Sequence, residues 1–341
     1  KLGVRVATKL QMMSELAAQT TERLTQSIDN WTSFLDSAAW LYKYPFHEQV
    51  LIHAQRPDAT ACAPIELWNG TFRRWVNKGS KGIAIIDDSG QKPTLRYVFD
   101  VSDTNTRYNV PFSLWQTRPE YEAQIVEELQ NHFGDIGVED ADFSSAVLGI
   151  AINAVSDNYR DYYEELLKVA DNSALADMSD DEISSTFMVL LMTSVAHTVF
   201  VRLGIDPAAI FHGDEYDSVT LFNSPDTIAQ LGAATSDISE MVLRQIERSV
   251  RSMERQERDT LAKSQQVLQN EDRKNERSAE HGTQLQAERG LPDSRYQNGR
   301  SADGDNRQIR QNAEDVSQGA SEWNVQRTLA SEQTDRASAG D

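Results

Sequence analysis

The chain has 341 residues, one cysteine, and 53 acidic against 33 basic side chains, for a formal net charge of -20. A single cysteine excludes an internal disulfide framework, and a mean hydropathy of -0.55 means that part of the chain is too polar to pack. The densest apolar run, 188–192, is far too short for a bilayer and the first twenty residues hold no signal sequence, so the expected setting is a reducing cytoplasm with no membrane partner. Position 1 is Lys, and the chain reads as a cut fragment or one whose natural start lies elsewhere.

The acidity is unevenly spread. Residues 1–110 carry 13 Lys and Arg against 11 Asp and Glu, residues 111–246 carry 5 against 24, and residues 247–341 carry 15 against 18. The two ends are therefore free to meet a polyanion.

Taken in order, residues 8–44 predict helix, with Leu24, Ile28, Trp31, Leu35 and Ala38 recurring at three- and four-residue steps. Pro45 and Pro57 bracket a second helix that turns Val50, Leu51 and Ala54 inward. The Asn69-Gly70 pair between Trp68 and Phe72 predicts a β-hairpin turn, and Lys78-Gly79-Ser80-Lys81-Gly82 predicts another turn. Residues 83–86 then read as a buried strand and 96–101 as its partner, after Gly90 and Pro93. From Pro119 the pattern becomes helical: an amphipathic helix over 121–133, a long one over 146–170, and an apolar one over 180–203. Ser179 and the acids after it start the apolar helix, and Gly204 ends it. A linker over 214–225 leads to a last helix at 226–256. Residues 276–341 are too polar to fold and are expected to be disordered.

The segment 31–104 carries a further signal. It contains Trp31, Phe34-Leu35, Trp40-Leu41-Tyr42-Lys43-Tyr44, His47-Glu48-Gln49-Val50-Leu51-Ile52 and Gln55-Arg56-Pro57-Asp58-Ala59-Thr60. Trp68, Arg74, Val76, Lys78-Gly79, Lys81-Gly82-Ile83 and Phe99-Asp100-Val101-Ser102-Asp103-Thr104 follow. In order and spacing this resembles the amino-terminal domain of ArdC antirestriction proteins. It is closer still to the LtrC-like versions at the front of large helicase/methylase proteins of conjugative transposons.

The resemblance implies an α+β architecture. An extension at 1–19 would precede a small helix-plus-antiparallel-sheet domain at 20–112 that binds single-stranded DNA. A mostly helical, acidic, degenerate zincin-like domain would follow at 118–256, then a largely disordered polar linker at 257–341. The implied setting is a mobile element, with single-stranded DNA as partner and restriction or conjugation proteins as further candidates.

The residues give this reading separate support. Arg73, Arg74, Lys78 and Lys81 fall within nine positions and are interleaved with Trp68, Phe72 and Trp75. Cations for phosphates and aromatic faces for bases are what nonspecific single-strand binding uses. Gly79 and Gly82 would let backbone N–H groups come close to a phosphate. Set against this, strand aromatics commonly belong to the core, because neighbouring residues on a strand alternate faces.

No catalytic role is expected. ArdC relatives carry a His-Glu-x-x-His zinc helix, in which two His one turn apart hold the metal and Glu activates water. The corresponding residues here are Thr193, Ser194 and His197, so only the second His remains. His212, Asp214, Glu215 and Asp217 are the only other residues that could join His197 around a metal, and neither metal nor cofactor is expected. No Walker A, dinucleotide-binding or Gly-x-Ser-x-Gly pattern occurs, and Cys62 has no His close in sequence. Two alternatives stay open: an acidic protein-interaction or DNA-mimic antirestriction module, and a metallopeptidase with unusual ligands.

Overall fold

The structure is a computed structural model that describes residues 8–106, 112–138 and 141–287, with side chains as far as 274. The predicted first helix is two. Helix α1 (Lys9–Leu24) ends at Thr25, and α2 (Ile28–Trp40) begins afresh where Ser27 accepts a hydrogen bond from the Asn30 N–H. Thr25 is buried at this break, and its hydroxyl donates to the Phe222 carbonyl at 2.6 Å. Helix α3 (Phe46–Gln55) buries Val50 and Leu51 as expected, while Ala54 is only partly covered.

Five short strands follow around helix α4 (Ile65–Gly70). Strands β1 (Cys62–Ala63), β4 (Thr94–Asp100) and β3 (Ile83–Asp87) form an antiparallel sheet in the order β1-β4-β3. Strands β2 (Arg74–Val76) and β5 (Thr104–Thr106) form a separate two-stranded ribbon. Ile83, Ala84 and Ile85 are buried in succession, so β3 is covered on both faces, with α1 and α3 packed against it. Its free edge is also closed. The Gln55 amide accepts from Ala84 N at 3.0 Å and donates to Ala84 O at 2.8 Å, taking the place of a neighbouring strand.

The predicted hairpin turn at Asn69-Gly70 does not form. Pro64 opens α4 instead, and the N–H groups of Thr71 and Phe72 both return to the Leu67 carbonyl. Burial of Trp68 decides this. A helical turn puts its indole into the core, 1% exposed, with Nε1–H donating to the Phe99 carbonyl at 2.8 Å.

The remainder is helical: α5 (Pro119–Phe133), α6 (Phe143–Leu167), α7 (Asp180–Leu203) and α8 (Pro225–Ala287). Helix α7 is the axis of the fold and packs against α2, α6 and α8. Its start is fixed by a reciprocal Ser179–Glu182 capping box and its end by Gly204 in the left-handed conformation. It is long and apolar enough to span a membrane, but two-thirds of its most apolar window is buried inside the fold. A helix that is hydrophobic all round suits that central position.

The expected linker over 214–225 is largely a 3-10 helix (Asp214–Leu221) that, with the residue after it, buries Tyr216, Val219 and Phe222. The last helix extends well past 256: α8 runs 63 residues to Ala287, about 95 Å at 1.5 Å per residue. From 255 to 274 its side chains are exposed except for Ala262. The rest of the predicted tail, 288–341, lies outside the described residues.

Nor does the core divide near 112–118. One hydrophobic cluster joins Leu24, Trp31 and Phe34 to Trp115, to the α5–α7 helices and to Met253 on α8. A smaller cluster under the three-stranded sheet contains Leu41, Leu51, Ile52, Cys62, Ile85 and Val98. The fold is therefore α+β, mostly helical, with a small antiparallel sheet set against a shared helical core.

Candidate nucleic-acid interface

The basic segment lies on the β2–β5 ribbon and the turn that leaves it. Trp75 pairs with Asn105, and Val76 with Thr104. Ser80 N donates to the Asn77 carbonyl, closing a turn that contains Lys78 and Gly79, and Gly79 adopts a φ of 94°, where a side chain is disfavoured. The turn is pinned from below. Asn77 N donates to the Asp103 carbonyl at 2.8 Å, and Asn105 Nδ2 donates to Asn77 Oδ1 at 2.6 Å.

Asp103 is itself held by Arg56, Nη1 to Oδ2 at 2.6 Å. Asp100 holds the preceding strand end. Its carboxylate accepts from the N–H groups of Thr60, Ala61 and Ser102 and from the Ser102 hydroxyl. Burial alone would raise the Asp100 pKa, but these donors hold it below the usual carboxylate range. The 99–104 motif is thus the anchor on which the basic turn rests.

The predicted contact residues fall into two groups. Lys78 and Lys81 are exposed with no ion pair among the described residues, and Gly79 and Arg73 are exposed too. Trp75 is partly exposed, on the strand face opposite Arg74.

Three others are engaged in the fold and correct the expectation. Trp68 cannot offer a stacking face, since its buried ring packs with Phe72 and Phe112 at centroid distances of 5.1 and 5.3 Å. Arg74 turns to Thr104, with Nε donating to Oγ1 at 2.7 Å and Nη2 to the carbonyl at 3.1 Å. Gly82 is closely packed: a Cβ there would stand 3.1 Å from the Phe99 ring and 3.2 Å from Tyr97, so these side chains would have to give. Sequence reasoning missed the anchor formed by Asp103, Asn77 and Asn105, because Asn77 and Asn105 meet across 28 residues of chain.

The positions compared with a zinc helix hold α7 in place. Thr193 donates to the Val189 carbonyl. Ser194 Oγ, fully buried, accepts from Trp31 Nε1–H at 2.9 Å. His197 has both ring nitrogens occupied, Nδ1 at 2.7 Å from the Tyr216 hydroxyl and Nε2 at 3.0 Å from Asp36 Oδ1. Burial and then the nearby acids Glu215 and Asp36 raise the Tyr216 pKa, so the phenol keeps its proton.

Glu215 is likewise used locally, accepting from the backbone N–H groups of His212 and Gly213. Among the described residues no group of three or more His, Cys, Asp or Glu could hold a metal ion. Comparison with known proteins adds no assignment: no family model matches the chain, and no curated protein or solved structure matches it.

Proposed function

We propose that the chain is a non-catalytic, single-stranded-DNA-binding module of a mobile-element protein, and that the turn at 77–82 is its contact. One observation carries this reading. Lys78 and Lys81 project from a turn that Gly79 shapes and Asp103 anchors, so two solvated cations sit on a rigid base that follows the partly buried Trp75 in the chain. Cations on a fixed base bind phosphates with little ordering cost, and an aromatic face beside them accepts an unpaired base. The resemblance of 31–104 to ArdC and LtrC-like amino-terminal domains points the same way.

The working surface is narrower than the sequence implies: Arg73, Trp75, Lys78, Gly79 and Lys81, with Trp68, Arg74 and Gly82 as its support. Fluorescence anisotropy with labelled oligonucleotides tests the proposal. Single strands should bind more tightly than duplex, and binding should weaken as salt rises. In the Lys78→Ala/Lys81→Ala variant the logarithmic salt slope for single strands should fall by up to about 1.4, at about 0.7 per lost phosphate contact. Equal and negligible binding of both forms at low salt defeats the proposal.

A further inference from the structure

The first half of α8 carries a charge pattern that its core packing does not require. Ile246, Val250 and Met253 face inward, but Arg244, Arg248, Arg251, Arg255 and Arg258 recur at steps of four, three, four and three. At 100° per residue these five fall within an arc of about 80°, in a line about 21 Å long; Arg248, Arg255 and Arg258 are exposed, while Arg244 and Arg251 are partly buried.

The ordinary explanation of such a row is a solvated face laced with i,i+4 ion pairs. It accounts for two of the five. Arg244 pairs with Glu240 at 2.5 Å, and Arg251 pairs with Glu247 at 2.7 Å. Arg248, Arg255 and Arg258 are exposed and form no ion pair among the described residues; the Arg248 guanidinium donates only to the Gln245 side chain. Residues 240–259 hold as many acids as arginines, Glu240, Glu247, Glu254, Glu257 and Asp259 against the five. Glu240 and Glu247 are taken by Arg244 and Arg251 and Glu257 by Arg118, so Arg248, Arg255 and Arg258 have only Glu254 and Asp259 as neighbouring acids on the helix.

We infer that this arginine row is a second nucleic-acid contact, one that grips the phosphate backbone whether or not the bases are paired. Three features select that partner. All five cations are arginine, whose planar fork binds phosphate in a bidentate way that lysine cannot. No tryptophan, tyrosine or phenylalanine lies between 244 and 258, so the row offers charge without a stacking face. The apolar side of this stretch is buried in the core, so the row lacks the insertable edge of a membrane-surface helix. The inference takes its ligand class from the proposal above and adds a division of labour: the 77–82 turn favours single strands, and the α8 row holds any backbone.

Anisotropy titrations on the full chain, with single-stranded and duplex 30-mers over a range of salt, test this alongside vesicles of phosphatidylserine and phosphatidylcholine. The variants are Arg248→Gln/Arg255→Gln/Arg258→Gln and Lys78→Ala/Lys81→Ala. Glutamine keeps helix propensity at exposed sites, and far-UV circular dichroism checks that the helix is retained. The triple variant should lose about tenfold or more in affinity for both DNA forms at low salt, with salt slopes lower by about two to three. The lysine variant should lose chiefly single-strand affinity.

Unchanged affinity and slope in the triple variant overturn the α8 contact and leave the turn proposal standing. A triple variant that fails to bind, beside a lysine variant that binds normally, supports the α8 contact and overturns the turn. Arginine-dependent binding to vesicles with DNA binding unaltered overturns the inference, and a wild-type chain that binds neither DNA form overturns both.

Discussion

The helical core around α7 and the small ribbon beside it use polar residues in opposite ways. In the core every polar side chain that the sequence made look chemical has a partner inside the protein: Ser194 holds Trp31, and His197 spans Asp36 and Tyr216. Glu247, 3% exposed, accepts from Tyr42 and pairs with Lys43 and Arg251. On the ribbon the polar network lies underneath, in Asp100, Asp103 and Asn77, and the cations above it stay solvated. A buried polar group that is fully satisfied is spent on structure, whereas a cation on a rigid base is available. The contrast implies that core substitutions change stability, while ribbon substitutions change binding.

The largest effect is expected at Glu247. Burial alone would raise its pKa, but Lys43 and Arg251 hold it at about 2. Glu247→Gln removes the carboxylate and leaves two cations facing each other, at a cost of about 3 kcal/mol. That is the low end for a broken buried pair, because Lys43 and Arg251 still reach water. Denaturant unfolding at neutral pH measures it.

The same group makes a pH prediction. Its folded pKa lies below the ordinary carboxylate value, so its contribution is fully present above about pH 4.5 and is lost as pH falls toward 2. The stability difference between wild type and Glu247→Gln should shrink over that interval. A constant difference would mean that the carboxylate's charge is not what stabilises the site.

Next in size is Ser194→Ala, which leaves the buried Trp31 Nε1–H without its acceptor. The cost should be about 1–3 kcal/mol in unfolding free energy, with DNA affinity unchanged. Chelator should leave the wild-type melting temperature where it is. A drop on adding EDTA, reversed by zinc, would return His197 to a metal-site reading.

How far these roles could be read beforehand depended on how local their causes are. The ends of the α7 helix were legible, because Ser179, Glu182 and Gly204 set them through contacts within one turn of the chain. Strands β3 and β4 were legible for the same reason, as apolar runs separated by Gly90 and Pro93. What failed was set by distant partners. Trp68 reads as a contact aromatic because nothing near it in sequence shows that the Phe99 carbonyl waits for its indole. The break at Thr25 depends on Phe222, nearly two hundred residues away. The shared core could not be foreseen either: the acidity of 111–246 marks the outer faces of its helices and says nothing of what their inner faces pack against. The arginine spacing on α8 was present in the sequence throughout, but the inward apolar residues of the same helix dominate its periodicity.

The smallest effect separates two glycines that look alike in sequence. Gly70 and Gly79 each sit beside a residue that favours turns, and both predict a bend. In the fold Gly70 closes α4 with open space around it and no positive φ, whereas Gly79 is held at a φ of 94°. Gly70→Ala should be neutral or should stabilise by about 0.4–1 kcal/mol, through a less free unfolded chain. Gly79→Ala also meets open space, so its cost is conformational and not steric, about 1–2 kcal/mol confined to the turn. The turn contributes little to the core, and global unfolding should register only part of that cost. Single-strand binding should register more, because Lys78 and Lys81 lose the rigid base that fixes them. Equal DNA affinity in Gly70→Ala and Gly79→Ala would mean that the turn's shape is irrelevant to binding and that its charge alone acts.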